Sequence, residues 1–78
     1  MDAALARMHH GDYVAEIVYE AVTDLFRGHV INVEHELLYF WGSSLKELPA
    51  EFARSVQVHE RICRATGREP ERPRPVGE

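Results

Sequence analysis

The chain has a single cysteine, Cys63, so it cannot form an internal disulfide. It also lacks a long apolar run, because the longest, Leu37 to Trp41, is far shorter than the roughly 20 residues of a membrane-spanning helix. No secretory signal is recognisable at its start. A lone cysteine without such a signal is typical of proteins in a reducing compartment, so we expect a cytoplasmic protein that does not enter a membrane.

Motifs for metal binding and catalysis are missing as well. The sequence has no cysteine pair at zinc spacing, no His-Glu-x-x-His motif, no glycine-rich phosphate loop and no nucleophile motif. His59 precedes Cys63 by four residues, a spacing at which the two side chains could touch on one helix face. We interpret His59 as a core or interface histidine, with a ligand or general base paired with Cys63 as the alternative. We therefore expect no enzyme, no metal and no cofactor.

With 78 residues, the chain has room for one domain and one small core. A chain of this size buries only about 60% of the surface that its unfolded form exposes, so its stability is thin. Such chains often gain support from a partner subunit, and a homodimer is therefore one expectation.

The apolar residues between Asp12 and Arg27 recur at three- and four-residue spacing, which predicts an amphipathic helix. Gly28 follows as a helix stop. The preceding segment, residues 2–10, is alanine-rich and favours helix, either as a separate turn or as an extension of the first helix through Gly11.

A second helix is predicted from about Val33 to Trp41, with Asn32 as its N-cap and Gly42 at its end. A strand is the competing interpretation because His29 to Val33 is rich in β-branched residues. The following residues do not alternate between apolar and polar, so helix is preferred.

Ser44 and Glu47 have the spacing of a capping box, and Pro49 suits the start of a helix. We expect a short turn over Leu45 to Leu48, then a long helix from about Pro49 to Ala65. Its expected apolar face is Leu48, Phe52, Val56, Ile62 and Cys63, and Gly67 ends it.

Together these segments predict an all-α fold, a small three- to four-helix bundle over residues 1–66. Residues 67–78 contain prolines, arginines and glutamates and almost nothing apolar, so we expect a disordered tail.

Acidic residues dominate the first half of the chain, and the formal net charge is −4. If residues 12–27 are helical, four acids stand at successive four-residue steps along one face. We predict that this acidic helix face and nearby side chains bind a partner. The predicted partner-binding residues are Asp12, Glu16, Glu20, Asp24, Glu34, Glu36, Tyr39 and Trp41.

The favoured function is a small protein-binding module, an inhibitor or adaptor that engages a protein with a basic surface. This profile is typical of small phage or mobile-element proteins, including inhibitors of nucleic-acid machinery. The alternative is a nucleic-acid-binding regulator that uses a strip of arginines, namely Arg54, Arg61, Arg64 and Arg68. An acidic chain makes nucleic acid the weaker prediction. A self-associating structural subunit is the third possibility.

Overall fold

The computed structural model describes residues 4–34 and 37–76. It is an α+β fold, a four-stranded antiparallel sheet with one C-terminal helix, so the predicted all-α helical bundle is wrong. The elements in chain order are β1 (Ala6–His10), β2 (Tyr13–Glu20), β3 (Leu25–Val30), β4 (Tyr39–Gly42), a 3-10 turn (Leu45–Glu47) and α1 (Leu48–Ala65). Each strand pairs with the strand next to it in sequence, which makes a simple meander.

The first predicted helix, Asp12 to Arg27, is instead β2, a turn and the start of β3. Ala15 and Ile17 are fully buried in the core, and Glu16 lies on the opposite face of the sheet because side chains alternate along a strand. Side chains four residues apart share a face in a strand as well as in a helix. The spacing of the acidic residues is therefore compatible with both, and the acidic helix face does not exist.

The alanine-rich segment before it also forms a strand rather than helix. β1 and β2 are joined by the two-residue loop Gly11-Asp12, and His10 pairs with Tyr13 across the hairpin. Gly11 has a φ of 57°, a conformation that glycine adopts without steric cost. Gly-Asp between two strand-forming segments is a recognised signal of a tight hairpin.

The second predicted helix is also wrong. The end of this predicted helix, from Tyr39 onward, belongs to strand β4 (Tyr39–Gly42). His35 and Glu36 lie outside the described residues. Gly28 does not end a helix but sits in β3 opposite Phe40. Three consecutive aromatic residues suit a pleated strand better than they suit a helix.

The third predicted helix is confirmed, since α1 spans Leu48–Ala65. The capping box of Ser44 and Glu47 is present and precedes the 3-10 turn. Gly67 follows the helix with a φ of 75°, as expected for a helix stop. The predicted apolar face is buried at Leu48, Phe52, Val56 and Cys63, whereas Ile62 is 55% exposed.

The core lies between α1 and one face of the sheet, which we call the inner face. The Phe40 ring of β4 stacks on the Phe52 ring of α1, with centroids 4.5 Å apart. A Cβ atom at Gly28 would lie 2.1 Å from Cζ of Phe40, so only glycine leaves room for this ring. Ile17 and Val30 complete the apolar layer under the helix.

Asn32, predicted as a helix cap, is a buried link between three segments of the chain. Its Oδ1 accepts the Val14 N–H at 2.9 Å, and its Nδ2 donates to the carbonyl oxygens of Asp12 and Arg74 at 2.8 Å each. The Arg74 N–H in turn donates to the Asn32 carbonyl. Residues 68–76 form neither helix nor strand, and at Asn32 they contact the end of the sheet.

Candidate protein-binding surface

The sheet face away from α1, which we call the outer face, carries side chains from all four strands. Strand alternation and register place eleven residues on this face: Arg7, His9, Val14, Glu16, Val18, Glu20, Leu25, Arg27, His29, Tyr39 and Trp41. Four of them, Glu16, Glu20, Tyr39 and Trp41, are among the residues predicted to bind a partner. The fold therefore brings together, on a sheet, a subset of the residues expected along a helix.

Aromatic side chains form a continuous row across β3 and β4. The His29 ring stacks on Tyr39 with centroids 4.7 Å apart, and Tyr39 stacks on Trp41 at 6.0 Å. The Arg27 guanidinium lies 5.9 Å from the centroid of the Tyr39 ring. Tyr39 is 36% exposed and Trp41 is 45% exposed, so these rings are ordered by their neighbours and still accessible.

Glu20 holds one end of this row in place. Its Oε1 accepts the indole N–H of Trp41 at 3.1 Å and the Thr23 hydroxyl at 3.0 Å, and its Oε2 accepts Nη1 of Arg27 at 2.9 Å. One carboxylate on β2 thus joins side chains of β3, β4 and the β2–β3 turn. Such a network restricts the rotamers of Trp41 and Arg27 before any partner arrives.

The acidic residues of the outer face already have basic neighbours. Glu16 forms an ion pair with Arg7 at 3.5 Å, and Glu20 forms one with Arg27 at 2.9 Å. Both pairs are partly exposed, so each contributes little to stability. The charges of these two pairs cancel, so the outer face is nearly neutral and the net negative charge of the chain lies outside it.

Asp24, in the β2–β3 turn, contacts Tyr19, whose side chain lies on the opposite face of β2 from Glu20. Asp24 has a φ of 57°, which aspartate tolerates better than most residues. Its Oδ1 accepts the Tyr19 hydroxyl at 2.5 Å. This hydrogen bond, together with desolvation and the carboxylate charge, raises the pKa of Tyr19.

The remaining predicted acidic residues lie elsewhere. Asp12 is in the β1–β2 loop, at the opposite end of β2 from Asp24. Glu34 follows β3 and forms an ion pair with Arg74, and Glu36 lies outside the described residues. The eight predicted residues therefore do not form one strip.

The four predicted arginines lie on or just after α1 and are exposed. Arg54 borders a groove beside β4, whereas Arg61 and Arg64 border a shallow depression together with Gln57 and Glu60. Nη2 of Arg68 lies 3.7 Å from Sγ of Cys63. The arginines of α1 therefore lie at two different places on the surface, Arg54 at the groove and Arg61 and Arg64 at the depression.

His59 and Cys63 do touch, with Nε2 of His59 3.6 Å from Sγ of Cys63. The thiol is fully buried, so a substrate could not reach it without movement of the helix. Within residues 4–34 and 37–76, the structure contains no group of three or more histidine, cysteine or carboxylate side chains arranged to hold a metal.

Sequence reasoning missed Arg27 and His29 as members of the surface. Both alternate with the buried positions Gly28 and Val30 in β3. This two-residue alternation is the available signal, but the first predicted helix ends at Arg27 and separates it from His29, which hides the alternation.

Among the described residues, no helix is both long and apolar enough to cross a membrane. Comparison with known proteins identifies no relative: no family model, no curated protein and no solved structure matches the chain.

Proposed function

We propose that this chain is a small protein-binding module, an inhibitor or adaptor, whose outer face engages a basic surface of a partner protein. The observation that supports this most is the ordered and exposed row of His29, Tyr39 and Trp41. Aromatic side chains that are held in place before binding bring a large contact area and lose little conformational freedom. They are the residue types most often found at the energetic centre of an interface.

The charge of the chain supports a basic partner. The formal net charge is −4, and long-range attraction to a basic surface depends on this overall charge. Because Glu16 and Glu20 already face arginines, their role in the proposal is long-range attraction rather than new buried ion pairs. Attraction of this kind raises the association rate and is weakened by salt.

A cytoplasmic location is part of the proposal. It is supported by the single free cysteine, Cys63, which is buried and needs no oxidising compartment.

The test is affinity capture from a lysate of the source organism, followed by mass spectrometry and a binding measurement with the purified partner. Trp41→Ala removes the most exposed ring of the row, and Leu45→Ala is the control because Leu45 is similarly exposed but lies in the 3-10 turn. We expect the control to retain binding and Trp41→Ala to lose about 2 kcal/mol, or roughly thirtyfold in affinity.

Charge reversal tests the second part of the proposal. Glu16→Lys should slow association several-fold at low salt and leave the dissociation rate nearly unchanged. If no protein is captured, or if Trp41→Ala binds as tightly as the unmodified chain, the outer face is not the binding surface. If only the salt dependence is absent, the partner surface is not basic.

A further inference from the structure

We propose that the free edge of β4, together with the adjacent face of α1, pairs with the same edge of a second copy of this chain. The two four-stranded sheets would then form one continuous sheet. This inference concerns the edge of the sheet, which adjoins the outer face at Tyr39 and Trp41, and it does not depend on the proposed function.

Among the described residues, no strand pairs with the side of β4 that faces away from β3, so the hydrogen-bonding groups on that side have no strand partner. The Val30 N–H donates to the Leu38 carbonyl at 3.0 Å, and these two residues lie directly opposite each other in the register of β3 and β4. In an antiparallel pair, successive residues direct their N–H and C=O groups to alternate sides. The backbone groups of Tyr39 and Trp41 therefore point away from β3, where a further strand would pair with them.

An apolar groove of about 460 Å³ runs beside this edge, between β4 and α1. On the strand side it is lined by Leu37, which is 77% exposed. On the helix side it is lined by Val58, 45% exposed, and Ile62, 55% exposed. Strand addition requires unpaired hydrogen-bonding groups at the edge of a sheet and exposed apolar side chains beside that edge. The β4 edge offers both.

The other edge of the sheet is less suited to pairing. β1 exposes Arg7 and His9, and charged side chains at an edge oppose the addition of another strand. Of the two edges of the sheet, the β4 edge is therefore the one that we expect to pair with another strand.

A second copy fits this groove for three reasons. The rim of the groove carries one acidic residue, Glu51, and one basic residue, Arg54. Two identical edges therefore do not repel each other through charges of one sign. An antiparallel pair of β4 strands related by a two-fold axis can place Tyr39 of one copy opposite Trp41 of the other, a register that uses the free backbone groups of both. Leu37, Val58 and Ile62 are 77%, 45% and 55% exposed, so a second copy seated here would cover apolar side chains that a single copy leaves in water.

Pairing through this edge would leave the side chains of the outer face accessible. The two aromatic rows would lie side by side on one surface, each contributed by β4 and its neighbour. A partner protein could then contact both rows at once.

The experiment measures oligomeric state over a range of concentrations by sedimentation equilibrium. Val58→Lys places a charge in the groove, and Gln57→Lys is the control because it adds the same charge on the adjacent exposed residue, outside the groove. We expect the unmodified chain and Gln57→Lys to have about twice the mass of the 9.0 kDa chain. We expect Val58→Lys to be monomeric, with a dissociation constant at least tenfold higher.

Hydrogen exchange of individual amides identifies the surface. In the dimer, the amides of Tyr39 and Trp41 should be protected, and in Val58→Lys they should exchange at least tenfold faster, while the Val30 amide stays protected. Three results would overturn the proposal: a monomer at every concentration, a dimer that Val58→Lys does not weaken, or a dimer in which these two amides exchange freely. None of them bears on capture of a partner through Trp41, so the two proposals fail separately.

Discussion

The inner and outer faces of the sheet are made by alternate residues of the same strands, yet their side chains are held in different ways. On the inner face, Ile17 and Phe40 are buried beneath α1 and held by packing. On the outer face, Tyr39 and Trp41 are held by stacking and by the hydrogen bond to Glu20, and both stay exposed.

Along a single strand, residues that stabilise the fold therefore alternate with residues that are available for recognition. Burial of apolar surface is the largest favourable contribution to folding, so the inner face determines whether the chain folds. The outer face contributes exposed pairs that add little stability, and its exposed residues can change with little effect on the fold. Substitutions on the two faces should therefore have effects of different size.

The largest contrast is expected between Phe52→Ala and Trp41→Ala, because each removes one large aromatic side chain. Phe52 is fully buried under the sheet, and its loss should lower the free energy of unfolding by about 3–5 kcal/mol. Trp41 is 45% exposed, and its loss should cost about 1 kcal/mol, mainly through the hydrogen bond to Glu20. Urea unfolding followed by circular dichroism measures both. Equal losses would show that the two faces do not divide stability as we describe.

The hydrogen bonds of Asn32 allow a test of whether polar contacts stabilise the fold as much as packing does. Asn32→Ala removes three hydrogen bonds and leaves the Val14 N–H without its acceptor, which should cost about 1–3 kcal/mol. Arg74→Ala is the control, because it keeps the backbone hydrogen bonds between residues 32 and 74 and removes only an exposed ion pair with Glu34. The control should cost less than about 1 kcal/mol in the same unfolding experiment. A control as damaging as Asn32→Ala would assign the effect to the ion pair.

Gly28→Ala tests the fit between β3 and the Phe40 ring on the inner face. A methyl group there overlaps the ring, and overpacking of this kind should cost about 1–3 kcal/mol. In a Phe40→Leu background the smaller side chain should remove part of the penalty, which a double-mutant cycle measures as a coupling energy. Additive losses would mean that the ring and the glycine do not restrict each other.

The helix α1 could be predicted from sequence because its signals are local. Ser44 and Glu47 form the expected capping box, and Gly67 has the expected left-handed conformation after the helix. Leu48 and Phe52 are buried as their four-residue spacing indicates. The error at Ile62 has a physical reason: its side chain lines the edge groove, whereas Cys63, the next residue along the helix, is fully buried.

The sheet could not be predicted in the same way, because apolar residues lie on both faces of β2. Val14 belongs to the outer face but is only 6% exposed, since residues 73–76 lie near it. Its burial obscures the alternation that would otherwise mark a strand. The remaining strand signals are the Gly11-Asp12 loop, which is equally compatible with a break before the first predicted helix or an extension of it, and the aromatic run Tyr39 to Trp41, which the second predicted helix includes.

The candidate surface was partly predictable for a related reason. Glu16 and Glu20 share a face in either type of element, so their grouping did not depend on the correct fold. The contact of Glu20 with Trp41 depends on the register of three strands and joins residues 21 positions apart. No local pattern contains that information, and Arg27 and His29 were missed for the same reason.

The smallest expected effect concerns Glu47, which joins the end of β4 to α1. Its Oε2 accepts the Ser43 hydroxyl at 2.5 Å and the backbone N–H groups of Ser43 and Ser44 at 2.8 and 3.2 Å, and these hydrogen bonds lower the pKa of Glu47. A carboxyl whose pKa is lower in the folded state stabilises the fold above its ordinary pKa, and this contribution is lost as the pH falls through the folded value. Stability should therefore fall more steeply on acidification in the unmodified chain than in Glu47→Gln, as measured by urea midpoints over the acidic range. Parallel pH profiles would show that the charge of Glu47 does not stabilise the junction between the sheet and the helix.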